Sequence, residues 1–432
     1  MLKFPRWFQL LGLGALITLT QIIFMVLNGP SGASLTERYL RLNQWDSLQY
    51  RIIAEEGYRI PEDRPHAITS EDIHSYRANV VFFPGLPMMA RGLSKLTSVP
   101  ISYALLLTSQ FCAWGFWFFW LLIGAQLAIP LGIYAVFTLC VFLYPSTFFL
   151  VAGYTESPFL AGLLAFTFSL LYWRKKPSFT TGPALFSILA AIGMSFIRIV
   201  SFAASPLPFL LSITNRPLQE VWPLSSGKLK FLLIRNWRAL LLGLFCTTGA
   251  VVFFSWSHFQ FGQWNLYFKL EEIGWHNYKH WWALLDPRSY IPHFFFENTM
   301  DSISRASVPL SVALFVTAFI FEKKLARSRK QPAWWGRVPF YFTAFILFYI
   351  PLTGKANANM DSMIRYTLPP FIFLLLALAD LARDRFNRYS DFRKWVISWP
   401  RKRKFAVVVA LTFSLALQLW MSFKFLKGSW VA

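Results

Sequence analysis

Three ionisable side chains stand at the ends or breaks of apolar segments, and a fourth, Asp46, stands in an amphipathic stretch. Asp46 lies in Arg41-Leu-Asn-Gln-Trp45-Asp46-Ser-Leu-Gln49, and Glu156 in Tyr154-Thr-Glu156-Ser-Pro158. Arg198 closes Ser195-Phe-Ile-Arg198, and Arg365 opens Arg365-Tyr366-Thr-Leu-Pro369. Charges at membrane depth are costly, so they usually pair or face a polar cavity. A carboxylate held there can take a proton from a hydroxyl. A guanidinium offers forked, charge-assisted hydrogen bonds that suit a phosphate. Plainer readings stand beside these: Asp46 as a solvated or N-capping carboxylate, and the arginines as side chains snorkelling to the interface.

Other chemistries find less support. The stretch Gln263 to His276 mixes aromatic rings with Lys269, Glu271 and Glu272, and rings at an interface are expected as a belt. His258, His276, His280 and His293 have no metal-ligand spacing, so no metal and no cofactor is expected. The sequence has no Asp-x-Asp for a metal-bound nucleotide sugar and no Walker A loop for ATP-driven transport. Cys112, Cys140 and Cys246 sit in apolar runs without a Cys-x-x-Cys, which suggests neither zinc nor a disulfide framework.

The elements that position these residues follow from composition. Of 432 residues, 56% are hydrophobic and 14% charged, with mean hydropathy +0.44. A soluble domain of this size could not hide so much apolar surface. Apolar runs recur at 8–27, 101–124, 131–150, 155–173, 182–197, 199–214, 238–257, 306–322, 338–353, 366–382 and 405–424. The expected fold is therefore an all-α polytopic membrane protein, a single domain over 1–432 with about eleven transmembrane helices. The run 8–27 is long for a signal peptide and reads as an uncleaved first helix.

The net charge of +22 is gathered in short loops: Arg174 to Lys176, Lys228 to Arg238, Lys323 to Arg337, and Arg383 to Lys404. That is the positive-inside pattern, not a nucleic-acid-binding face. Putting Arg174 and Arg238 on one side requires an even number of crossings between them. The run 182–214 must therefore be two spans, and Arg198 stands where the break is needed. The N-terminus is then inside. Loops 28–100, 258–305 and 354–365 are external, and function is sought there, since the basic loops read as topology signals and little else.

Within the first external loop, Trp45, Leu48, Ile52 and Ile53 have helical spacing, and Gly57 would end the helix. An amphipathic helix lying on the membrane surface fits. Asp46, Gln49 and Glu56 share its polar face. The stretch 80–93, broken by Pro84 and Pro87, reads as a second interfacial element.

Several segments, in this order, resemble the GPI mannosyltransferase 2 family and its bacterial relatives. They are Trp45-Asp46 through Ile53-Ala54 to Gly57-Tyr58, then Val81-Phe-Phe-Pro84, then Tyr144-Pro-Ser-Thr-Phe-Phe to Tyr154-Thr-Glu-Ser157, then Arg365-Tyr366 with Leu368-Pro369. The stretch Phe261 to Trp275 is similar more loosely, and the resemblance extends from about residue 40 to 385. It departs at Gln49 and Tyr50, where the family often has His or Tyr, and at Ile199-Val-Ser201, where it has an Arg-Ser-x-Gly type turn.

The resemblance implies a GT-C glycosyltransferase that draws mannose from a polyprenyl- or dolichyl-phosphate at the external face. It implies Asp46 as catalytic base in an inverting, metal-independent displacement onto a lipid-linked or glycan acceptor. Arg198 or Arg365, supported by Lys269, would hold the phosphate. Glu156 would orient Arg198 or bind a sugar hydroxyl, and Trp45, Gln49 and Tyr366 would line the substrate site. Two other readings share the pattern: a GT-C transferase for glucose, arabinose or aminoarabinose, and a flippase for a lipid-linked substrate. The absence of an Asn-x-Ser/Thr sequon and of a retention tail points to a bacterial plasma membrane, with the endoplasmic reticulum as the alternative.

Overall fold

In the computed structural model, residues 6–431 are described apart from 64, 66, 175–180, 278–279, 287–298, 327–332, 356–359, 361 and 387. His293 and parts of the loops 258–305 and 354–365 lie outside the described residues. The described chain is helical throughout, and no strand occurs among the described residues.

The helices that matter for the site are, in order, α1 (Arg6–Leu27), α2 (Asp46–Glu56), α3 (Gly85–Thr97), α4 (Ile101–Gln126) and α5 (Leu131–Phe142). Then come α6 (Glu156–Arg174), α7 (Thr181–Ile197), α8 (Leu207–Ile213), α9 (Trp237–Phe261) and α10 (Leu266–Trp275). The last are α11 (Thr299–Ala326), α12 (Val338–Lys355), α13 (Leu368–Arg385) and α14 (Arg401–Leu426). Pro84, Pro100, Pro130 and Pro400 stand immediately before α3, α4, α5 and α14. A proline there has no N–H to leave unsatisfied and its φ is already set for the helix.

Among the described residues, seven helices are long and apolar enough to cross a membrane alone, which makes the chain an integral membrane protein. They are α1, α4, α9, α11, α12, α13 with its lead-in, and α14. The other four expected spans are helical as well, but shorter or charged at their ends. The 131–150 span is α5 followed by a 3₁₀ turn at Thr147–Leu150. The 155–173 span is α6, with Glu156 and Arg174 at its ends. The stretch 182–214 is α7, then a 3₁₀ turn at Ile199–Ala204, then α8.

The chain reverses at that break. Arg198 has extended backbone, φ −150° and ψ 139°, between the two helical pieces. On the way in, Ser187 Oγ donates to Ser169 Oγ of α6 at 2.7 Å. On the way out, Arg174 at the far end of α6 donates to Asn215 Oδ1 and to the Thr214 carbonyl. Arg198 itself meets Glu156 at the near end of α6. Residues 182–214 are thus an antiparallel pair, as the charge parity requires.

Two glycines let neighbouring helices approach this break. A Cβ on Gly249 of α9 would lie 2.3 Å from the Ser195 carbonyl carbon, and one on Gly85 would lie 2.8 Å from the Phe196 carbonyl oxygen. The Gly249 N–H donates to Ser195 Oγ at 2.7 Å. With no water to leave inside the bilayer, membrane helices associate through such close backbone contact and through interhelical hydrogen bonds.

α13 and its lead-in are the most enclosed of the seven, with 83% of the apolar window buried, against 22% for α1 and 17% for α14. The centre of the bundle is therefore α13, flanked by α12, while α1 and α14 face lipid. The expected interfacial element 80–93 is a helix that starts later and ends later than its sequence suggested. Pro84 precedes α3 and Pro87 lies in its first turn, so neither breaks it, and it runs on to Thr97. It buries Leu86, Pro87 and Ala90 and exposes Met88, Met89 and Leu96.

The basic end is more than a topology signal. Arg337, 1% exposed, bonds Glu322 at both its Nε and Nη2, Asp384 at 2.6 Å and Asp380 at 3.4 Å. Arg383 joins the same carboxylates at 3.0 and 2.8 Å. This cluster ties α11, α12 and α13 together beside a cavity of about 320 Å³ that Arg174 and Asn215 also line.

Candidate active site

The opposite end of the bundle carries the four charges from which the sequence reading began. α2 begins at Asp46 and ends at Gly57, whose φ of 94° favours glycine. Asp46 in the first turn sits where a helix favours a negative charge. Trp45, just before it, has φ 52° and ψ −113°. A non-glycine residue held there stores strain, and such strain persists only where surrounding structure enforces it. Part of that structure is Tyr154, whose hydroxyl donates to the Gln44 carbonyl at 3.1 Å.

Arg365 lies in the short helix Met363–Tyr366 that leads into α13, and it is 4% exposed. Its Nη2 donates to Asp46 Oδ2 at 3.0 Å, and its Nε lies 2.9 Å from Glu156 Oε1. The same Glu156 oxygen accepts from Arg198 Nη1 at 3.2 Å. The order is Asp46, Arg365, Glu156, Arg198, with two acids alternating with two bases. Glu156 is 1% exposed on its side chain and Arg365 5%, whereas Asp46 is 17% exposed. Asp46 is the more exposed acid of the chain.

An aromatic box surrounds the guanidinium of Arg365. Tyr154, Phe149, Tyr366 and Trp430 have ring centroids 5.1, 5.4, 5.4 and 5.9 Å away. Tyr366 also lies 5.2 Å from Arg198, so one ring serves both cations. Such cation–π contacts are strongest where water is excluded. Trp45 meets Trp430 edge to face at 5.6 Å. Three polar atoms of this buried chain, Glu156 Oε2, Arg365 Nη1 and Arg365 Nε, have no hydrogen-bond partner among the described residues, Nε meeting Glu156 as an ion pair only.

The remaining expected residues divide. Gln49 is buried near Asp46, and its Nε2 donates to the Ile73 carbonyl at 3.0 Å, which ties α2 to the turn at Ser70–His74. Its Oε1 has no hydrogen-bond partner. Lys269 is not brought to the cluster. It is exposed on α10, with its Nζ donating to Gln263 Oε1 at 2.7 Å. Two residues along a helix is about 200° of rotation, so Glu271 faces the other way. Glu271 and Asp46 interact through space, and Tyr267, one turn earlier, senses Tyr366 and Arg198. The Tyr267 hydroxyl donates to Glu271 Oε1 at 3.3 Å, and Asn277 bonds Oε2. Burial pushes the Glu271 carboxyl above the usual range. It likewise pushes the Tyr50 and Tyr267 hydroxyls up.

The sequence reading missed Tyr154, Trp430, Glu271 and Lys355 as site residues. Lys355, at the site end of α12, is 7% exposed and interacts through space with Glu271. A lysine at the end of a span was the signal the sequence offered, its burial being visible only in the structure.

No protein-family description matches this sequence, and no characterised protein does. Among solved structures, the fold is similar to that of the archaeal oligosaccharyltransferase AglB from Archaeoglobus fulgidus, solved in complex with an inhibitory peptide and a dolichol-phosphate. The identity is 13% and the TM-score 0.50, and the match covers 96% of this chain. The chain spans 56% of the length of that archaeal chain. The likeness is one of fold: the helices adopt the GT-C arrangement.

Proposed function

We propose that this chain is a membrane glycosyltransferase that moves a sugar from a polyprenyl- or dolichyl-phosphate to a hydroxyl of a lipid-linked or glycan acceptor. Mannose is the sugar that the sequence resemblance favours. The observation that carries the reading is the alternating chain Asp46–Arg365–Glu156–Arg198, with Asp46 as its more exposed acid. The GT-C fold adds to it, because the archaeal structure of that fold holds a dolichol-phosphate.

In the reaction, Asp46 accepts the proton of the acceptor hydroxyl as its oxygen attacks the anomeric carbon. The bond from that carbon to the phosphate oxygen breaks, and the phosphate leaves with the electron pair. One displacement inverts the anomeric centre, through oxocarbenium character like that of glycosidases. Phosphate leaves without a strong acid, so one carboxylate suffices. Arg365 holds Asp46 Oδ2 and leaves Oδ1 for the acceptor. Glu156 is a positioning residue that fixes both guanidiniums. With the basic loops cytoplasmic, the site lies at the external face, on our reading that of a bacterial plasma membrane.

Mass spectrometry tests this directly. Purified protein is incubated with polyprenyl-phosphate mannose and a membrane lipid extract. One acceptor species should gain a hexose while polyprenyl phosphate accumulates. An extract left unchanged, across a panel of lipid-phosphate sugars, would overturn the reading.

A further inference from the structure

The alternating chain poses a problem of charge. Arg365 and Arg198 are already balanced by Asp46 and Glu156. A lipid phosphate arriving at this site brings a negative charge of its own. Removing that charge from water needs a cation not already spent.

We propose that Lys355 is that cation, and that its ammonium binds the phosphate of the lipid-linked donor; this rests on the glycosyltransferase reading above. Lys355 ends α12 at the site end of the bundle, and the residue is 7% exposed. Among the described residues its ammonium has neither a hydrogen bond nor an ion pair. Its position is fixed from both sides. The Met360 N–H donates to the Lys355 carbonyl at 3.0 Å and starts the turn that leads to Arg365. Two residues earlier, the Thr353 carbonyl accepts from the His280 N–H at 2.6 Å.

Glu271 is the acid that interacts through space with Lys355, and with Asp46 as well. Its two oxygens are occupied by Tyr267 and Asn277. Lys355 thus has an acid within through-space reach but no oxygen in contact. A phosphate oxygen would supply one, and Glu271 would compete with it. Arg365 Nη1, a buried donor without a hydrogen-bond partner among the described residues, offers a second contact.

The test is binding, not turnover. The protein is placed in phosphatidylcholine nanodiscs and titrated with undecaprenyl phosphate, undecaprenol or phosphatidic acid, with tryptophan fluorescence as readout. Wild-type protein should prefer undecaprenyl phosphate to both others. Lys355→Met should weaken that binding by about tenfold or more and leave undecaprenol unaffected. Lys355→Arg should retain most of it. Glu271→Gln, which removes the competing charge, should tighten it.

A Lys355→Met protein that keeps its melting temperature and binds undecaprenyl phosphate like wild type overturns the inference while leaving the glycosyltransferase reading intact. If Lys355→Met does not fold, weaker binding by Glu271→Gln overturns it instead. Phosphatidic acid bound as tightly as undecaprenyl phosphate makes this an ordinary phospholipid site and also overturns it. Wild-type protein that does not distinguish undecaprenyl phosphate from undecaprenol overturns both the inference and the donor class.

Discussion

Asp46 and Arg365 lie 319 residues apart in sequence and share one hydrogen bond of 3.0 Å. The first loop and the head of the central helix are joined at that bond. Whatever reaches Asp46 meets a carboxylate whose direction is set by a residue near the other end of the chain.

Replacing the acid tests its role in catalysis. Asp46→Asn keeps an oxygen for Arg365 and keeps the shape of the side chain. Turnover of lipid-phosphate sugar should fall by about 10²–10⁴-fold, the usual effect of losing a general base. Near-wild-type turnover by a folded variant would remove Asp46 from that role.

Arg365→Met should damage the fold as well as the chemistry. It leaves Asp46 and the fully buried Glu156 short of a partner, and breaking a buried pair costs about 3–5 kcal/mol. The melting temperature in detergent should drop markedly. Adding Glu156→Gln should restore part of that loss, because the stranded charge is gone, without restoring turnover. A double variant no more stable than Arg365→Met would contradict the charge account.

Gly249→Ala probes the break at Arg198 from a distance. The new Cβ meets the Ser195 and Phe196 backbone at 2.3–2.4 Å, so the helices must part. Overpacking of this kind costs about 1–3 kcal/mol. Because the same backbone carries Arg198, turnover should fall with stability. Unchanged melting and turnover together would show that this contact is not tight.

Glu271 gives a pH dependence with a definite sign. Burial raises its carboxyl above the ordinary 4.5, so the folded state holds the proton more tightly than the unfolded chain. Its stabilising contribution is complete below pH 4.5 and is lost as pH rises through the raised folded value. Melting temperature compared between wild type and Glu271→Gln should diverge over that window, with the wild type losing ground as pH rises. Parallel curves would mean that Glu271 titrates as an ordinary surface acid.

The break within 182–214 was legible because loop charge imposes parity, and only Arg198 interrupts the run. The placement of Glu156 and Asp46 at one end was legible for the same reason. The pairing of Arg365 with Asp46 was not, since charge parity fixes the end of the bundle but not the neighbour. Lys269 looked as plausible as Glu271 because α10 is ten residues long, too short for its pattern to declare a face. Lys355 was passed over because hydropathy marks the end of a span there but does not show which way the last side chain turns. Pro84 and Pro87 looked like breaks in 80–93, yet a proline at a helix start is compatible with it.

The aromatic box around Arg365 draws its members from distant parts of the chain. Trp45, which meets Trp430, belongs to the first loop, Phe149 and Tyr154 precede α6, and Trp430 follows α14. A ribosome delivers these in sequence, and the membrane receives them one span at a time. The box therefore closes only after the last helix has been inserted. During biosynthesis Asp46 waits for Arg365 and then for Trp430, so a partly inserted chain carries the acid without the surroundings that give it a purpose.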